Sequence, residues 1–412
     1  MLLNRKILEK IEEKNGESFY LLDSYKFEQN FNKVVDEYRK YYPKTNIAYS
    51  YKTNYTPRFG QIVNDKGGYA EVVSGMEMYI AKKIGVPYDK IFFNGPFKEL
   101  EYVEELLLNN GVVNVDSLEE LKKIEKISKK NTGKILKIGL RLNFDIKDEV
   151  ISRFGFDTQT RDFKDALNLI KNSNLKLVSL HCHFATRYLY SWKNRTQGML
   201  DVIDKYFLDE LDKIEFISLG GGLYGEMPED MKKQFPQQIP SFNEYAEVSA
   251  KVFAKYFKEK TNEPTLIIEP GTALVANAMK YVTKIVSIKE VRDRTIVTLF
   301  GSTYNINPSA NRKKMPLKIY SKDELQQKNY KNVYFGGYTC IESDYLYREY
   351  EGALLVGDYI VFDEVGSYSV VMKPPFIMPQ VAVVEPIDNN NYKVIKRREK
   401  FEDIFQTYGM LS

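Results

Sequence analysis

Short runs of β-branched and aromatic residues alternate with helical patterns through the first two thirds of the chain, and this alternation limits the fold more than any other feature. The runs before residue 272 are NIAYSYK (46–52), YAEVVS (69–74), KIFFNG (90–95), GVVNVDS (111–117), KILKIGLRLN (134–143), LKLVSLHCHF (175–184), KIEFISLGGG (213–222) and PTLIIEPG (264–271). Alternation of strand and helix is typical of parallel βα units. Eight units in roughly 250 residues favour an α/β fold of the (β/α)8 TIM-barrel type over an open sheet.

Two of the intervening helical segments begin with a recognisable start signal. Ser74 and Glu77, like Ser117 and Glu120, have the spacing of a capping box. In that motif the serine hydroxyl accepts a hydrogen bond from an unpaired N–H and the glutamate reaches back to another. These signals predict helices directly after the second and fourth strands, as a βα repeat requires.

Beyond about residue 272 the pattern becomes all-β. The strand-like runs of this region lie at 280–291, 295–300, 353–365 and 368–372. The segment FYLLD (19–23) is also strand-like and precedes the first barrel helix, so it can pair with the C-terminal sheet. We therefore predict a barrel domain over 27–272. Residues 1–26 and 273–412 would form a β-sandwich or β-barrel-like domain.

Composition argues against several broad classes of protein. Lys and Arg total 60 and Asp and Glu 56 in 412 residues, a net charge of +4 that gives no reason to expect nucleic acid or membrane as a partner. Two cysteines cannot form a disulfide framework. The start lacks a signal-peptide pattern, and no apolar run reaches the ~18 residues of a spanning helix. We expect a cytoplasmic enzyme.

Reactive side chains and glycines are concentrated at the C-terminal ends of the eight predicted strands. They are Lys52, Glu71, Ser74, Asn94, Asp116, Arg141, His183, Gly220, Gly221, Gly222 and Glu269. In a parallel barrel these ends surround one mouth, where active sites lie. The ordinary polarity of loops explains Asn94 and Asp116 well enough, but it explains Lys, Arg, His and Glu together less well.

Both histidines of the chain, His181 and His183, lie in one predicted strand and point to the same side of it. A zinc site would need a third ligand, and only carboxylates or Cys340 remain. We therefore predict no metal. We interpret His181 as a hydrogen-bonded core residue and leave a core role and a pocket role open for His183.

The run Gly220–Gly222 ends one predicted strand and Glu269-Pro270-Gly271 ends the next. Bare N–H groups allow an anion to approach, and barrel enzymes commonly bind phosphate after their last two strands. A tight turn is the alternative interpretation of the glycines. Lys52 ends the first strand, where partial desolvation would lower the pKa of its amine and make it a nucleophile toward an aldehyde.

In order and spacing, these segments resemble the fold-type III pyridoxal-phosphate decarboxylases, the family of diaminopimelate, ornithine and arginine decarboxylases. The similar segments are AYSYKTN (48–54), AEVVSG (70–75), SRFG (152–155), HCHF (181–184), GGG (220–222), EPG (269–271), CIESD (340–344) and GSY (366–368). The resemblance extends from FYLLD to about residue 380. It implies an alanine-racemase-like barrel with a C-terminal all-β domain, the cofactor pyridoxal 5'-phosphate, and decarboxylation of a small-molecule amino acid.

The resemblance also implies roles for individual residues. Lys52 would hold the cofactor as a Schiff base, and Cys340 would return a proton to the substrate. Glu269 would keep the pyridine nitrogen protonated, and His183 would stack on the ring. The other implied cofactor contacts are Glu71, Arg141, Thr186, Gly220, Gly221, Gly222, Gly271, Thr272 and Tyr368, and the implied substrate contacts are Tyr304, Asn307, Glu342 and Asp344. Because the cysteine loop comes from the partner subunit in this family, the resemblance implies a homodimer with shared active sites.

Several positions depart from the family pattern. Thr272 stands where an Arg usually follows Glu-Pro-Gly, and Ala185 and Thr186 replace a Gly-Ser pair. Ile341 follows the cysteine in place of an acid, and Asn307 stands where an Arg usually contacts the substrate carboxylate. These changes weaken a diaminopimelate assignment more than they weaken the reaction type. We expect a diaminopimelate-like substrate, another basic or diamino acid, or a derivative of one.

Two alternative functions remain open. A racemase on the same fold would need an Arg in place of Glu269 and a Tyr in place of Cys340, whereas a non-catalytic regulatory homologue would lose Lys52 or the cysteine. Arg187 and Arg195 could reach a distal carboxylate of the substrate, but we interpret both as surface charges.

Overall fold

The structure is a computed structural model that describes residues 3–306 and 313–409. Its strands are β1 (Ser18–Leu22), β2 (Thr45–Ser50), β3 (Tyr69–Val72), β4 (Ile91–Phe93), β5 (Val112–Val115), β6 (Leu136–Asn143), β7 (Phe156–Asp157), β8 (Leu175–His181), β9 (Phe216–Ser218), β10 (Thr265–Ile268), β11 (Met279–Val291), β12 (Arg294–Leu299), β13 (Leu317–Tyr320), β14 (Lys328–Gly336), β15 (Tyr345–Leu354), β16 (Tyr359–Phe362), β17 (Ala382–Pro386) and β18 (Tyr392–Lys396).

Most of the α-helices connect these strands; the first helix precedes the first strand and the last helix follows the last one. They are α1 (Arg5–Asn15), α2 (Ser24–Arg39), α3 (Pro57–Asp65), α4 (Gly75–Lys83), α5 (Leu100–Leu108), α6 (Leu118–Lys130), α7 (Arg161–Lys171), α8 (Leu189–Tyr206), α9 (Glu229–Lys232), α10 (Phe242–Val248), α11 (Ala250–Phe257), α12 (Thr272–Val275), α13 (Thr303–Ile306), α14 (Ser369–Met372) and α15 (Phe401–Phe405). No helix among the described residues is both long enough and apolar enough to cross a membrane.

The chain divides into two compact units. The barrel unit comprises residues 28–224 and 239–274, and the β unit comprises residues 1–27, 225–238 and 275–412. The segment 225–238 therefore groups with the β unit, although it lies between barrel strands β9 and β10 in the chain.

The barrel unit is a closed parallel barrel. Its strands follow the order β2, β3, β4, β5, β6, β8, β9 and β10, and β10 pairs with β2 to close the ring. The side chains of Ala48, Phe92, Val112, Val178 and Ile267 form one buried cluster, so apolar residues from several strands pack into a shared core. The eight predicted strand segments are the eight barrel strands, and the prediction of a TIM barrel with a separate β domain is confirmed.

The two predicted capping boxes are formed in part. The hydroxyl of Ser74 accepts from the N–H of Glu77 at 3.2 Å, and the hydroxyl of Ser117 accepts from the N–H of Glu120 at 3.3 Å. The glutamate carboxylates, however, accept from the residues before the serines, the N–H of Val73 and that of Asp116, each at 2.8 Å. The predicted hydrogen bonds to the serine hydroxyls are present. The predicted hydrogen bonds to the glutamate carboxylates come from the residue before each serine and not from the serine itself.

The β unit is built around strand β1. This strand pairs antiparallel with β11 on one side and parallel with β17 on the other, which confirms that FYLLD joins the C-terminal sheet. Buried Phe19 and Leu21 pack with Val282, Val361 and Ala382 in the core of the unit. The β unit is therefore assembled from both ends of the chain.

Candidate active site

Lys52 lies just after β2, in the short 3-10 turn Tyr51–Thr53. Its Nζ forms an ion pair with Glu71 at the end of β3, and the Lys52 side chain is 34% exposed whereas that of Glu71 is buried. The hydroxyl of Ser50 donates to Oε2 of Glu71 at 2.6 Å. The amine of a partly exposed lysine therefore contacts a buried carboxylate at the rim of the barrel.

Glu269 follows β10 and is almost fully buried. Its carboxylate accepts from the hydroxyl of Ser218 at 2.8 Å, and its Oε2 lies 3.2 Å from Nε2 of His181. Burial opposes ionisation of this carboxyl, but His181 and Lys52 outweigh burial and hold the pKa of Glu269 well below its usual range. The barrel mouth therefore contains a buried group that is anionic at neutral pH.

Asn94 joins the two carboxylates. Its Nδ2 lies 3.1 Å from Oε1 of Glu71 and 3.2 Å from Oε1 of Glu269, and its Oδ1 accepts from Nδ2 of Asn114 at 2.8 Å. Our sequence interpretation explained Asn94 by the polarity of loops, but the residue is buried inside this network. A polar residue that directly follows the apolar strand β4 was the available signal.

His183 and the glycine run form the adjacent part of the mouth. The N–H of Gly221 donates to Nδ1 of His183 at 2.9 Å, which leaves the hydrogen of a neutral ring on Nε2. Burial, together with the charges of Lys52 and Arg141, keeps the pKa of His183 well below its usual value. The ring is therefore a neutral imidazole.

Gly220 and Gly221 have no room for side chains. Gly220 and Gly222 have φ values of +71° and +92°. A Cβ on Gly221 would lie 2.3 Å from the carbonyl oxygen of Glu269, and one on Gly220 would lie 2.7 Å from Nδ1 of His183. The sequence pattern therefore leaves a stretch of bare backbone beside the imidazole.

Arg141 lies on β6 and is buried beside Asp116. Its Nη1 lies 3.4 Å from Oδ1 of Asp116, and its guanidinium lies 4.5 Å from the ring centre of Phe154. Burial lowers the pKa of Arg141, while Asp116 acts in the opposite direction and favours the cation. Asp116, which the sequence interpretation attributes to ordinary loop polarity, is thus the counter-charge of a predicted site residue.

The sequence interpretation of Arg195 as a surface charge is wrong. The residue lies on α8 and is 0% exposed. Trp192, Thr196 and Met199 are buried on the same helix, and their spacing already assigns position 195 to the buried face. Arg187 is half-buried, with its guanidinium 5.5 Å from the ring centre of Tyr224.

The predicted Cys340 loop lies in the β unit. Cys340 and Glu342 are exposed, but Asp344 is only 4% exposed. Oδ1 of Asp344 accepts from the N–H of Thr303 at 2.7 Å, and Oδ2 accepts from the hydroxyl of Thr339 at 2.6 Å. Both carboxylate oxygens therefore accept hydrogen bonds, one from the start of α13 and one from the loop itself, and a substrate contact of Asp344 would compete with them.

The other predicted residues are distributed over both units. In the β unit, Tyr304 and Tyr368 are half-buried, and Tyr368 has a φ of +63°. In the barrel unit, Thr186 and Thr272 are half-buried, and a Cβ on Gly271 would lie 2.0 Å from Oγ1 of Thr53 in the turn that carries Lys52. The predicted substrate contact Asn307 lies outside the described residues.

The donor set of the mouth suits a pyridoxal cofactor. It contains an amine for the aldehyde, a buried anionic carboxylate for a protonated ring nitrogen, a neutral flat ring and, beside that ring, a glycine run for a phosphate. Within the described residues, no group of three or more His, Cys, Asp or Glu side chains is arranged to hold a metal ion.

Comparison with known proteins gives a consistent result. Residues 28–276 match the family described as pyridoxal-dependent decarboxylase, pyridoxal binding domain. The chain is 28% identical over 382 residues to a diaminopimelate decarboxylase of Methanocaldococcus jannaschii, covering 87% of this chain and 84% of the relative. It is 26% identical over 404 residues to one from Aquifex aeolicus, covering 93% and 90%.

Solved structures also resemble the whole chain. The crystal structure of diaminopimelate decarboxylase from M. jannaschii in complex with L-lysine matches with a TM-score of 0.84 and 25% identity, covering 98% of this chain and 94% of that chain. The family match spans more than half of this chain. The chain therefore belongs to the pyridoxal-dependent decarboxylases and is an amino-acid decarboxylase that uses pyridoxal 5'-phosphate.

Proposed function

We propose that Lys52 holds pyridoxal 5'-phosphate as a Schiff base and that the enzyme removes a carboxyl group from a basic or diamino acid, or from a derivative of one. The observation that carries this proposal is the ion pair between Nζ of Lys52 and the buried carboxylate of Glu71. An amine must lose a proton before it attacks an aldehyde, and Glu71 is the carboxylate in reach to accept that proton.

Glu269 serves as the partner of the pyridine nitrogen. The bound cofactor supplies a ring that accepts the electrons left behind when CO2 departs. Glu269 holds a proton at that nitrogen, because an anionic carboxylate favours the protonated ring. Ser218, Asn94 and His181 all contact its oxygens, so the carboxylate has little freedom to turn away.

His183 supports one face of the ring as a neutral imidazole. A cation at this position would oppose the positive pyridine nitrogen, and the lowered pKa of His183 avoids that conflict. The glycine run Gly220–Gly222, with Thr186, binds the phosphate. The N–H of Gly222 is the donor that supports this role, because the N–H groups of Gly220 and Gly221 already donate to Ser218 and His183.

Cys340 returns the proton to the substrate. Its thiol is exposed on a loop that Asp344 secures through hydrogen bonds to Thr303 and Thr339. An exposed thiol on a secured loop suits delivery into the active site of a second copy of the chain, so we propose a homodimer with shared sites. In this arrangement Glu342 and Tyr304 are the proposed substrate contacts, and Asp344 shapes the loop.

The relatives named diaminopimelate decarboxylase favour a diamino acid as substrate. A screen of CO2 release from diaminopimelate, lysine, ornithine, arginine and carboxylated polyamines tests this proposal. We expect rapid release from one member of the panel and none from that member with Lys52→Ala. Chiral chromatography tests the racemase alternative. Conversion of an L-amino acid to its D-isomer without CO2 release would favour that alternative.

A further inference from the structure

A buried arginine lies directly behind the glycine run. Nη1 of Arg195 donates to the carbonyl oxygens of Leu219 at 3.2 Å and Gly221 at 2.8 Å. Nη2 donates to the carbonyl oxygens of Phe184 at 3.1 Å and Thr186 at 2.8 Å. One guanidinium therefore joins the loop after β9 to the loop after β8.

The charge of this arginine is not balanced locally. No carboxylate of the described residues lies within 4.0 Å of its guanidinium, although several other arginines of the chain have such partners. Burial lowers the pKa of Arg195 to about 10, so the side chain is still a cation at neutral pH. A fully buried charge is costly unless an opposite charge neutralises it. The buried charge of Arg195 should therefore favour the binding of an anion at the loops after β8 and β9.

The hydrogen bonds of Arg195 also decide which way the loop N–H groups point. In a trans peptide the C=O and the following N–H point in opposite directions. Because the carbonyls of Gly221 and Thr186 face the guanidinium, the N–H groups of Gly222 and Arg187 face away from it. No described residue accepts a hydrogen bond from either group. Two unpaired N–H groups near a buried cation form a site suited to an anion.

We propose that Arg195 is a positioning residue for the phosphate of the cofactor, orienting both loops and supplying a buried positive charge that the phosphate neutralises. This inference rests on the proposed location of the phosphate at the glycine run. It predicts that Arg195 acts on the phosphate and not on the pyridine ring or the aldehyde, which have their own partners elsewhere in the mouth.

Comparing the binding of pyridoxal 5'-phosphate with that of pyridoxal separates the phosphate contacts from the contacts of the ring and the aldehyde. We would titrate full-length apoenzyme with pyridoxal 5'-phosphate and with pyridoxal, which lacks the phosphate, and follow the dissociation constants by fluorescence. We expect Arg195→Met to lower the preference for the phosphorylated ligand at least about tenfold, as the loss of an interaction with a charged group implies. Arg195→Lys keeps the charge but loses the paired hydrogen bonds to the two loops, so its preference should fall between those of wild type and Arg195→Met. Lys193→Met removes an exposed charge from the same helix and should change nothing.

Each outcome has a distinct meaning. If Arg195→Met keeps the wild-type preference, or if Arg195→Lys loses as much as Arg195→Met, the proposed role of the buried charge is wrong. If Arg195→Met does not fold, Arg195→Gln replaces it with the same expected loss. Gly222→Ala tests the proposed phosphate location separately: an unchanged preference in that variant would refute the location itself.

Discussion

Nε2 of His181 lies 3.2 Å from Oε2 of Glu269, and both side chains are almost completely buried. Because the carboxylate can only accept, this contact requires the hydrogen on Nε2 of the imidazole. Nδ1 of His181 has no hydrogen-bond partner among the described residues. The histidine is thus a core residue whose Nε2–H group holds the carboxylate proposed to face the pyridine nitrogen.

The first prediction concerns this contact. His181→Phe removes the strongest of the influences that lower the pKa of Glu269, so that pKa should rise. A carboxylate that protonates more readily loses its role at higher pH, and the acid limb of the kcat/KM profile should move toward neutrality. Ser218→Ala removes a neutral hydrogen bond to the same carboxylate and should shift the limb less. Identical pH profiles for His181→Phe and wild type would contradict this account.

The second prediction addresses Glu269 itself. Glu269→Gln preserves the size of the side chain but cannot carry the negative charge that favours a protonated ring nitrogen. We expect kcat to fall by roughly 10²-fold or more, because the loss of one preorganised electrostatic partner in an active site costs about that much. The dissociation constant of the cofactor should change only a few-fold, since its other contacts remain. Steady-state kinetics and a cofactor titration measure the two quantities, and a variant with wild-type kcat would refute the role.

The third prediction uses the two cysteines. Cys340 is exposed, whereas Cys182 is buried and burial raises its pKa to about 12. A thiol-specific reagent should therefore modify one cysteine in the native enzyme and none in Cys340→Ala. Cys340→Ala should also lower kcat by roughly 10²-fold, the usual contribution of a general acid. Cys182→Ala is the matched control and should turn over near the wild-type rate per folded molecule; equal rates for Cys340→Ala and wild type would exclude the thiol as proton donor.

The fourth prediction concerns stability. Burial raises the pKa of Glu364 to about 8, above its usual value of 4.5. A carboxyl with a raised pKa in the folded state favours folding fully below pH 4.5, and this contribution is lost as pH rises through about 8. Glu364→Gln removes this titration. Between pH 5 and pH 8 the free energy of unfolding of wild type should therefore fall by ~1 kcal/mol or more relative to that of Glu364→Gln.

Urea unfolding at both pH values measures this difference. The exposed Glu402 offers a control, and Glu402→Gln should follow the wild-type pH dependence. If Glu364→Gln loses stability between pH 5 and pH 8 in parallel with wild type, the carboxyl does not titrate as inferred.

The barrel could be predicted from the sequence because its strands are short, apolar and regularly separated by helices. The same pattern predicts that Lys52 and Glu269 lie at one mouth, since residues that end parallel strands meet there whatever the details of packing. The roles of Asn94 and Arg195 depend on which side chains converge in three dimensions, and linear spacing does not contain that information. Asp344 illustrates the same limit, because its partner Thr303 is distant in sequence and joins it only in the folded β unit.

The most direct test of the account is to locate the lysine that carries the cofactor. Reduction of the holoenzyme with sodium borohydride fixes the cofactor to its amine, and mass spectrometry of a digest then identifies the modified peptide. We predict that the added mass is on Lys52 and that Lys52→Ala carries none and releases no CO2. Modification of a different lysine, or full decarboxylase activity in Lys52→Ala, would contradict the central claim.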